Sequence, residues 1–207
     1  MLYEKVSKDA EIVGLLSKID KTQEDYLPSD HGTRHAMFCV NFVEKILSEL
    51  GCDDGTIDLG KVAAILHDVG CLEGKENHVH RSAVFAEEYL SKFDINGTDK
   101  RIIVEAIANH SAGKEMNHVV TGALVLADKC HWSRDRLHSK SDMENIVHIS
   151  VDKIIKIDGE IDGDNLVLTY HVRDDFLQEH MDAINQVKPV FPKIAEYFGK
   201  QLVVKVV

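Results

Sequence analysis

The chain has 207 residues, 44% apolar and 29% charged, a balance that excludes a disordered segment and suffices for one well-buried core. A formal net charge of −11 argues against a basic nucleic-acid-binding surface, so no nucleic-acid duplex is expected as a partner. No uncharged apolar run nears the roughly 18 residues of a membrane span. Met1-Leu2-Tyr3-Glu4-Lys5 lacks the order of a secretion signal, and Cys39, Cys52, Cys71 and Cys130 are too scattered for a disulfide scaffold, so the expected location is cytoplasmic and away from membranes.

In chain order, a first helix is expected between Val6 and Asp20, ahead of the turn-like Leu27-Pro28-Ser29-Asp30. Ala36, Val40, Val43, Leu47 and Leu50 step by four and three, the stripe of an amphipathic helix ended by Gly51. Leu59, Val62, Ala63 and Leu66 predict another, ended at Gly70, and Ala83, Ala86, Tyr89 and Leu90 one from Arg81 to Phe93. Ile103, Ala106, Ile107 and His110 predict the next, with Gly113 as its C-cap, and Val119, Val120, Ala123, Leu124 and Ala127 the last of this run. From residue 147 the period becomes two. Val147, Ile149 and Val151 alternate with polar residues, as do Leu166, Leu168, Tyr170 and Val172, which predicts an antiparallel hairpin whose long loop is the acidic stretch from Asp158 to Asn165. A helix from about Asp174 to Val187, a short one after Pro189 and Pro192 ended by Gly199, and a strand from Leu202 to Val207 follow. The expected fold is therefore mainly α: a helical domain over residues 1–145 and a small α+β module over residues 146–207.

Chemistry is suggested by polar groups set against apolar helices. His67-Asp68 ends the apolar run Ala63-Ala64-Ile65-Leu66, where an Asp opposes the helix dipole and its burial calls for a nearby positive charge. A divalent metal would supply it; an exposed helix end is the bland alternative. Asp128 follows the most apolar segment, Gly122 to Ala127, and could equally pair with Lys129 or Arg81. His35 and His110, taken singly, read as ordinary core histidines. Taken together, His35, His67-Asp68, His78 or His80, His110 and Asp128 give successive helices one polar ligand each near an end. Their convergence would surround one point with four His and two Asp, enough for two metal ions.

The order His35…His67-Asp68…Asp128 resembles the HD superfamily of metal-dependent phosphohydrolases, an all-helical fold. His78-Val79-His80-Arg81-Ser82-Ala83 and Ala108-Asn109-His110-Ser111 resemble segments of its dinuclear branch. Leu126-Ala127-Asp128-Lys129 is similar to a phrase of bacterial HD proteins that hydrolyse dinucleoside polyphosphates, and Asp30-His31-Gly32-x-x-His35 also occurs in related hydrolases. The resemblance spans roughly residues 25 to 138. It departs where many relatives carry Lys after His-Asp-x-Gly, since Cys71 stands there and Lys75 is the nearest substitute.

What the resemblance implies is a metal set of His35, His67, Asp68, His78, His110 and Asp128 holding two divalent transition-metal ions, iron first, with manganese, cobalt, nickel or zinc as alternatives. A hydroxide bridging the ions would attack a phosphoester or phosphoanhydride of a nucleotide-like or other small phosphorylated substrate. Asp68, His80 and Lys129 are the expected catalytic side chains, and His31, Arg34, Lys75 and Arg81 the expected substrate contacts. Arg134 and Arg136 read first as surface or structural pairing, and Trp132 as packing that could also stack a base. Rival readings are a mixed-valent di-iron oxygenase on the same ligands, or a regulatory protein with a vestigial metal site. The last strand could pair a homodimer through its edge.

Overall fold

A computed structural model describes residues 1–23, 29–111, 115–138, 144–187 and 190–207. The N-terminal part is helical: α1 (Leu2–Ser7), α2 (Ala10–Thr22), α3 (Thr33–Glu49), α4 (Asp54–Leu66), α5 (His78–Leu90), α6 (Gly97–Asn109) and α7 (Val119–Cys130). The helix expected over Val6 to Asp20 is two helices, because the Asp9 side chain accepts the backbone N–H of Glu11 and starts a new one. Asp53 and Asn96 cap α4 and α6 in the same way, accepting from Thr56 and Asp99. Gly113, the expected cap after α6, lies outside the described residues.

Helix α7 is central. Every residue from Val120 to Asp128 is buried, as a helix apolar on all sides must be, and α3, α4 and α6 pack around it. Its Gly122 admits Phe198, whose ring atoms would lie 2.8 and 3.1 Å from a Cβ at that position.

The C-terminal part contains α8 (Ile146–Asp152), β1 (Ile154–Asp162), β2 (Asn165–Val172), α9 (Gln178–Val187), α10 (Val190–Tyr197) and β3 (Gln201–Val206). Two expectations are corrected here. The alternating segment at 147–151 is helical: Asn145 accepts from Val147 N, Ser150 Oγ donates to Ile146 O, and Val151 reaches the core. The acidic stretch is mostly strand rather than loop, since β1 runs to Asp162 and turns through Gly163, at φ +56°, and Asp164. The sheet order is β1-β2-β3, β1 antiparallel to β2 and β3 parallel to it, with Ile157 opposite Tyr170 and Leu168 opposite Val204. The parallel pair is what the α9–α10 crossover permits.

The sheet shares the helical core: Ile154, Ile157, Leu166, Leu168 and Tyr170 belong to the same buried cluster as the helices. Lys45 Nζ donates to Gly159 O, and Glu49 accepts from Ile161 N at 2.8 Å, tying β1 to α3. No helix among the described residues is long and apolar enough to cross a membrane.

Candidate metal centre

The site lies where the ends of α3, α4, α5, α6 and α7 meet, and helix-end chemistry decides which nitrogen each histidine offers. The last carbonyls of a helix lack backbone partners. His67 and His110, at the C-caps of α4 and α6, donate from Nδ1 to carbonyls three residues back, Ala64 O and Ile107 O, each at 2.7 Å. His78, opening α5, does the same to Lys75 O at 2.7 Å, and His31 to Ser29 O at 2.6 Å. A carbonyl only accepts, so all four rings carry a proton on Nδ1 and present Nε2 inward.

Asp68 is the hub. Its Oδ2 lies 3.4 Å from His35 Nε2 and 3.2 Å from His67 Nε2, and its Oδ1 lies 3.4 Å from both His78 Nε2 and His110 Nε2. Oδ1 is buried and has no hydrogen-bond partner among the described residues. Asp128 Oδ1 approaches His35 Nε2 at 3.4 Å, and His35 and His67 meet at 3.1 Å through their Nε2 atoms. Asp128 Oδ2 pairs with Lys129 Nζ.

The electrostatics follow from this packing. Burial alone would raise the Asp68 carboxyl, but the surrounding imidazoles, His67 foremost, hold it well below the usual range. Burial likewise opposes ionisation of Asp128, and Lys129, His35 and Arg136 more than offset it. Burial pushes His78 and His35 down, while the Asp68 carboxylate carries His67 up against its own burial. His31 is driven down to about 3 and His131 to about 2, both chiefly by burial. A neutral His78 therefore turns a lone pair toward Asp68 Oδ1, itself a lone-pair atom, with no proton between them.

Such an arrangement calls for a cation, and the donor set fits a transition metal. Ligand atoms about 2.0–2.2 Å from one ion lie roughly 3.0–3.4 Å from their neighbours, which is the spacing found around both Asp68 oxygens. Imidazole and carboxylate are the donors that manganese, iron, cobalt, nickel and zinc take.

A cavity of about 210 Å³ opens onto Asp68, His78, His110 and Asp128, walled besides by His31, Lys75, Ser111, Lys129, Trp132 and Arg136. Of the expected site residues, the structure brings together His35, His67, Asp68, His78, His110, Asp128, His31, Lys75 and Lys129. His80 is not among them. Two residues beyond His78 on α5 it faces outward and is exposed, away from the Asp68 cluster. Arg81 is structural: it donates to Gly70 O, Gly74 O and Glu76 O and so fastens the loop that delivers His78. Gly70 itself is required there, since a Cβ would lie 2.4 Å from His78 O. Arg34 is half exposed, bonds Asp30 at 2.8 Å and lies outside the cavity.

Arg136, read from sequence as surface or structural pairing, is a structural pair: it is buried, bound to Asp128, and has all five N–H groups engaged. Nε donates to Asp30 O, Nη1 to Asp128 O and His131 O, and Nη2 to Asp128 Oδ1 and His35 Nε2, at 3.0–3.2 Å. His131 escaped the sequence reading altogether. It is buried one turn after Asp128, with its Nδ1 2.8 Å from His35 Nδ1, and its position three residues after Asp128 is the only signal that marked it.

The entry to α3 is equally defined. Gly32 leaves room for Asp20, whose Oδ1 would lie 1.8 Å from a Cβ there and which caps Thr33 N at 2.8 Å. Buried Asp30 accepts from Gln23, Gly32 N and Arg34; these bonds outweigh its burial and lower its carboxyl to about 2.

Residues 33–133 match the family model of the HD domain. A search of the curated proteins finds no match. Among solved structures, the chain is similar to a predicted HD superfamily hydrolase from an uncultured Thermotogales bacterium, at 20% identity over 63% of this chain and 73% of that one, with a TM-score of 0.45. The matched segment holds all six converging residues from His35 to Asp128, so the candidate metal centre lies within a stretch that matches the HD domain.

Proposed function

We propose that this protein is a metal-dependent phosphohydrolase acting on a phosphoester or phosphoanhydride of a nucleotide-like or other small phosphorylated substrate. The observation that carries this reading is the division of Asp68, with Oδ2 facing His35 and His67 and the partnerless Oδ1 facing His78 and His110. His35, His67, Asp68 and Asp128 would hold one divalent ion and His78, His110 and the other Asp68 oxygen a second. Such ions supply positive charge for phosphoryl oxygens and lower the pKa of water.

The protein's own groups then have distinct tasks. Lys129 neutralises Asp128 at the cavity wall and keeps a cation near the reacting phosphoryl group. Lys75 stands exposed at the mouth, without an ion pair among the described residues, and is suited to a non-reacting phosphate or the leaving group. Arg136 cannot serve there, its donors being spent. His31, neutral and with its Nδ1 proton fixed on Ser29 O, offers an Nε2 lone pair that can accept a hydrogen bond from a water or a substrate hydroxyl. Trp132 gives the wall one flat apolar face for the organic part of the substrate.

The test is turnover by the metal-loaded protein on a panel of phosphomonoesters, cyclic and linear diesters and dinucleoside polyphosphates, with Asp68→Asn as control. Phosphate release lost in Asp68→Asn supports the reading. No hydrolysis of any member, or turnover that requires dioxygen, would overturn it, the latter in favour of an oxygenase.

A further inference from the structure

We infer that His131 is a positioning residue for His35, taking the Nδ1 proton that fixes which nitrogen His35 offers to the metal centre. The inference rests on the reading of His35 as a ligand. His35 differs from the other inward imidazoles in having no carbonyl for its Nδ1. It sits in the first turn of α3, where the carbonyl three residues back, Gly32 O, already accepts from Ala36 N at 3.0 Å. Its Nδ1 instead meets His131 Nδ1 at 2.8 Å.

Proton accounting fixes the direction of that bond. Arginine donates and never accepts. Arg136 Nη2, 3.1 Å from His35 Nε2, therefore meets a lone pair there, and the His35 proton sits on Nδ1. His35 Nδ1–H must then donate to His131, whose Nδ1 is bare and whose own proton is on Nε2, the nitrogen on the side of Asp135, 4.0 Å away. Asp135 is held in turn by Ser133 Oγ.

His131 is built to stay in that position. Its ring stacks on Phe38 with centroids 4.2 Å apart and planes 16° from parallel, and lies 6° from parallel to His35. Its carbonyl accepts from Arg136 Nη1 at 3.0 Å. One turn of α7 thus carries both a ligand, Asp128, and the anchor for a ligand on α3. Such outer partners orient a metal-binding imidazole and typically change metal affinity by about 10–100-fold when removed.

Two measurements on the full chain test this. In metal-free, histidine-¹⁵N-labelled protein, long-range ¹H–¹⁵N correlations should show His35 protonated on Nδ1 and His131 on Nε2. The reverse assignment overturns the inference. In Mn²⁺ titrations, His131→Phe keeps the stack on Phe38 but removes the acceptor, and should weaken one of two binding events by about 10–100-fold. His131→Asn restores an acceptor and should recover most of that loss. A Phe variant that binds both ions as the wild type does, or an Asn variant impaired as much as Phe, would overturn it. If the Phe variant does not fold, the wild-type correlations decide the matter alone. Absence of Mn²⁺ uptake by the wild-type chain would count against the proposed function instead, and again leave the correlations to decide this inference.

Discussion

Replacing Arg136 by Met keeps an unbranched side chain of similar length and removes all five donors. The five acceptors left behind are Asp30 O, Asp128 O, His131 O, Asp128 Oδ1 and His35 Nε2, and Arg136 itself is only 5% exposed. Removing one partner of a buried ion pair costs about 3–5 kcal/mol, mostly because the remaining charge loses compensation. Here Lys129 stays on Asp128, so the carboxylate is not abandoned and the loss belongs at the lower end, about 3 kcal/mol. That is a large part of the roughly 5–15 kcal/mol stabilising a typical protein, and for this chain length it lowers Tm by roughly 6–12 °C. The assay is guanidinium and thermal unfolding at pH 7 with chelator present, so that no ion substitutes for the guanidinium. A loss under about 1 kcal/mol, the size of an exposed pair, would refute the account of Arg136 as the pin joining α3, α7 and the segment after it.

Further expectations concern the ligands, the loop and the acid limb. Asp68→Asn should abolish binding of both ions, whereas His78→Ala or His110→Ala should spare one, as read by metal content after gel filtration. Gly70→Ala forces a Cβ against His78 O and Ser82 N, so it should cost about 1–3 kcal/mol in unfolding experiments and weaken the ion held by His78 and His110 more than the other. Lys75→Ala should raise KM up to about fivefold at unchanged Tm, since an exposed ammonium contributes at most about 1 kcal/mol. Asp30 has its folded carboxyl lowered to about 2 from an unfolded value of 3.8, so its contribution is full above pH 3.8 and is lost as pH falls toward 2. The difference in unfolding free energy between wild type and Asp30→Asn should accordingly shrink by about 2 kcal/mol between pH 5 and pH 2.

Much of this architecture is legible in the chain because the helices are amphipathic and their ends are marked. The 3-4 spacing of Val40, Val43 and Leu47 located α3, and the polar interruptions at His67-Asp68, His110 and Asp128 located the centre, since each opposes the apolar character of its own helix. Failures came where pattern underdetermines structure. Five alternating residues at 147–151 satisfy a strand, yet an Asn145 cap and one buried Val151 make them helix. The charges of Asp158, Glu160 and Asp162 suggested a loop, although all three side chains point outward from β1.

At the site, spacing could propose His80 because it neighbours His78. Only the helix geometry shows that residues two apart face different directions. Arg81, Arg34 and Arg136 are indistinguishable as charges near motifs. Their roles depend on whether backbone carbonyls, a carboxylate or open cavity lies within reach, which tertiary structure alone decides. His131 was illegible for the same reason: its partner, His35, lies 96 residues away in the chain.

The account's central claim is that one carboxylate, Asp68, joins two metal positions. The most direct test is metal content per chain by plasma mass spectrometry, on protein purified without added metal or chelator and again after loading with Mn²⁺, for wild type and Asp68→Asn. The account predicts close to two equivalents in the loaded wild type and none retained in the variant. A wild type that takes up no transition metal, or an Asp68→Asn variant that retains both ions, would contradict it.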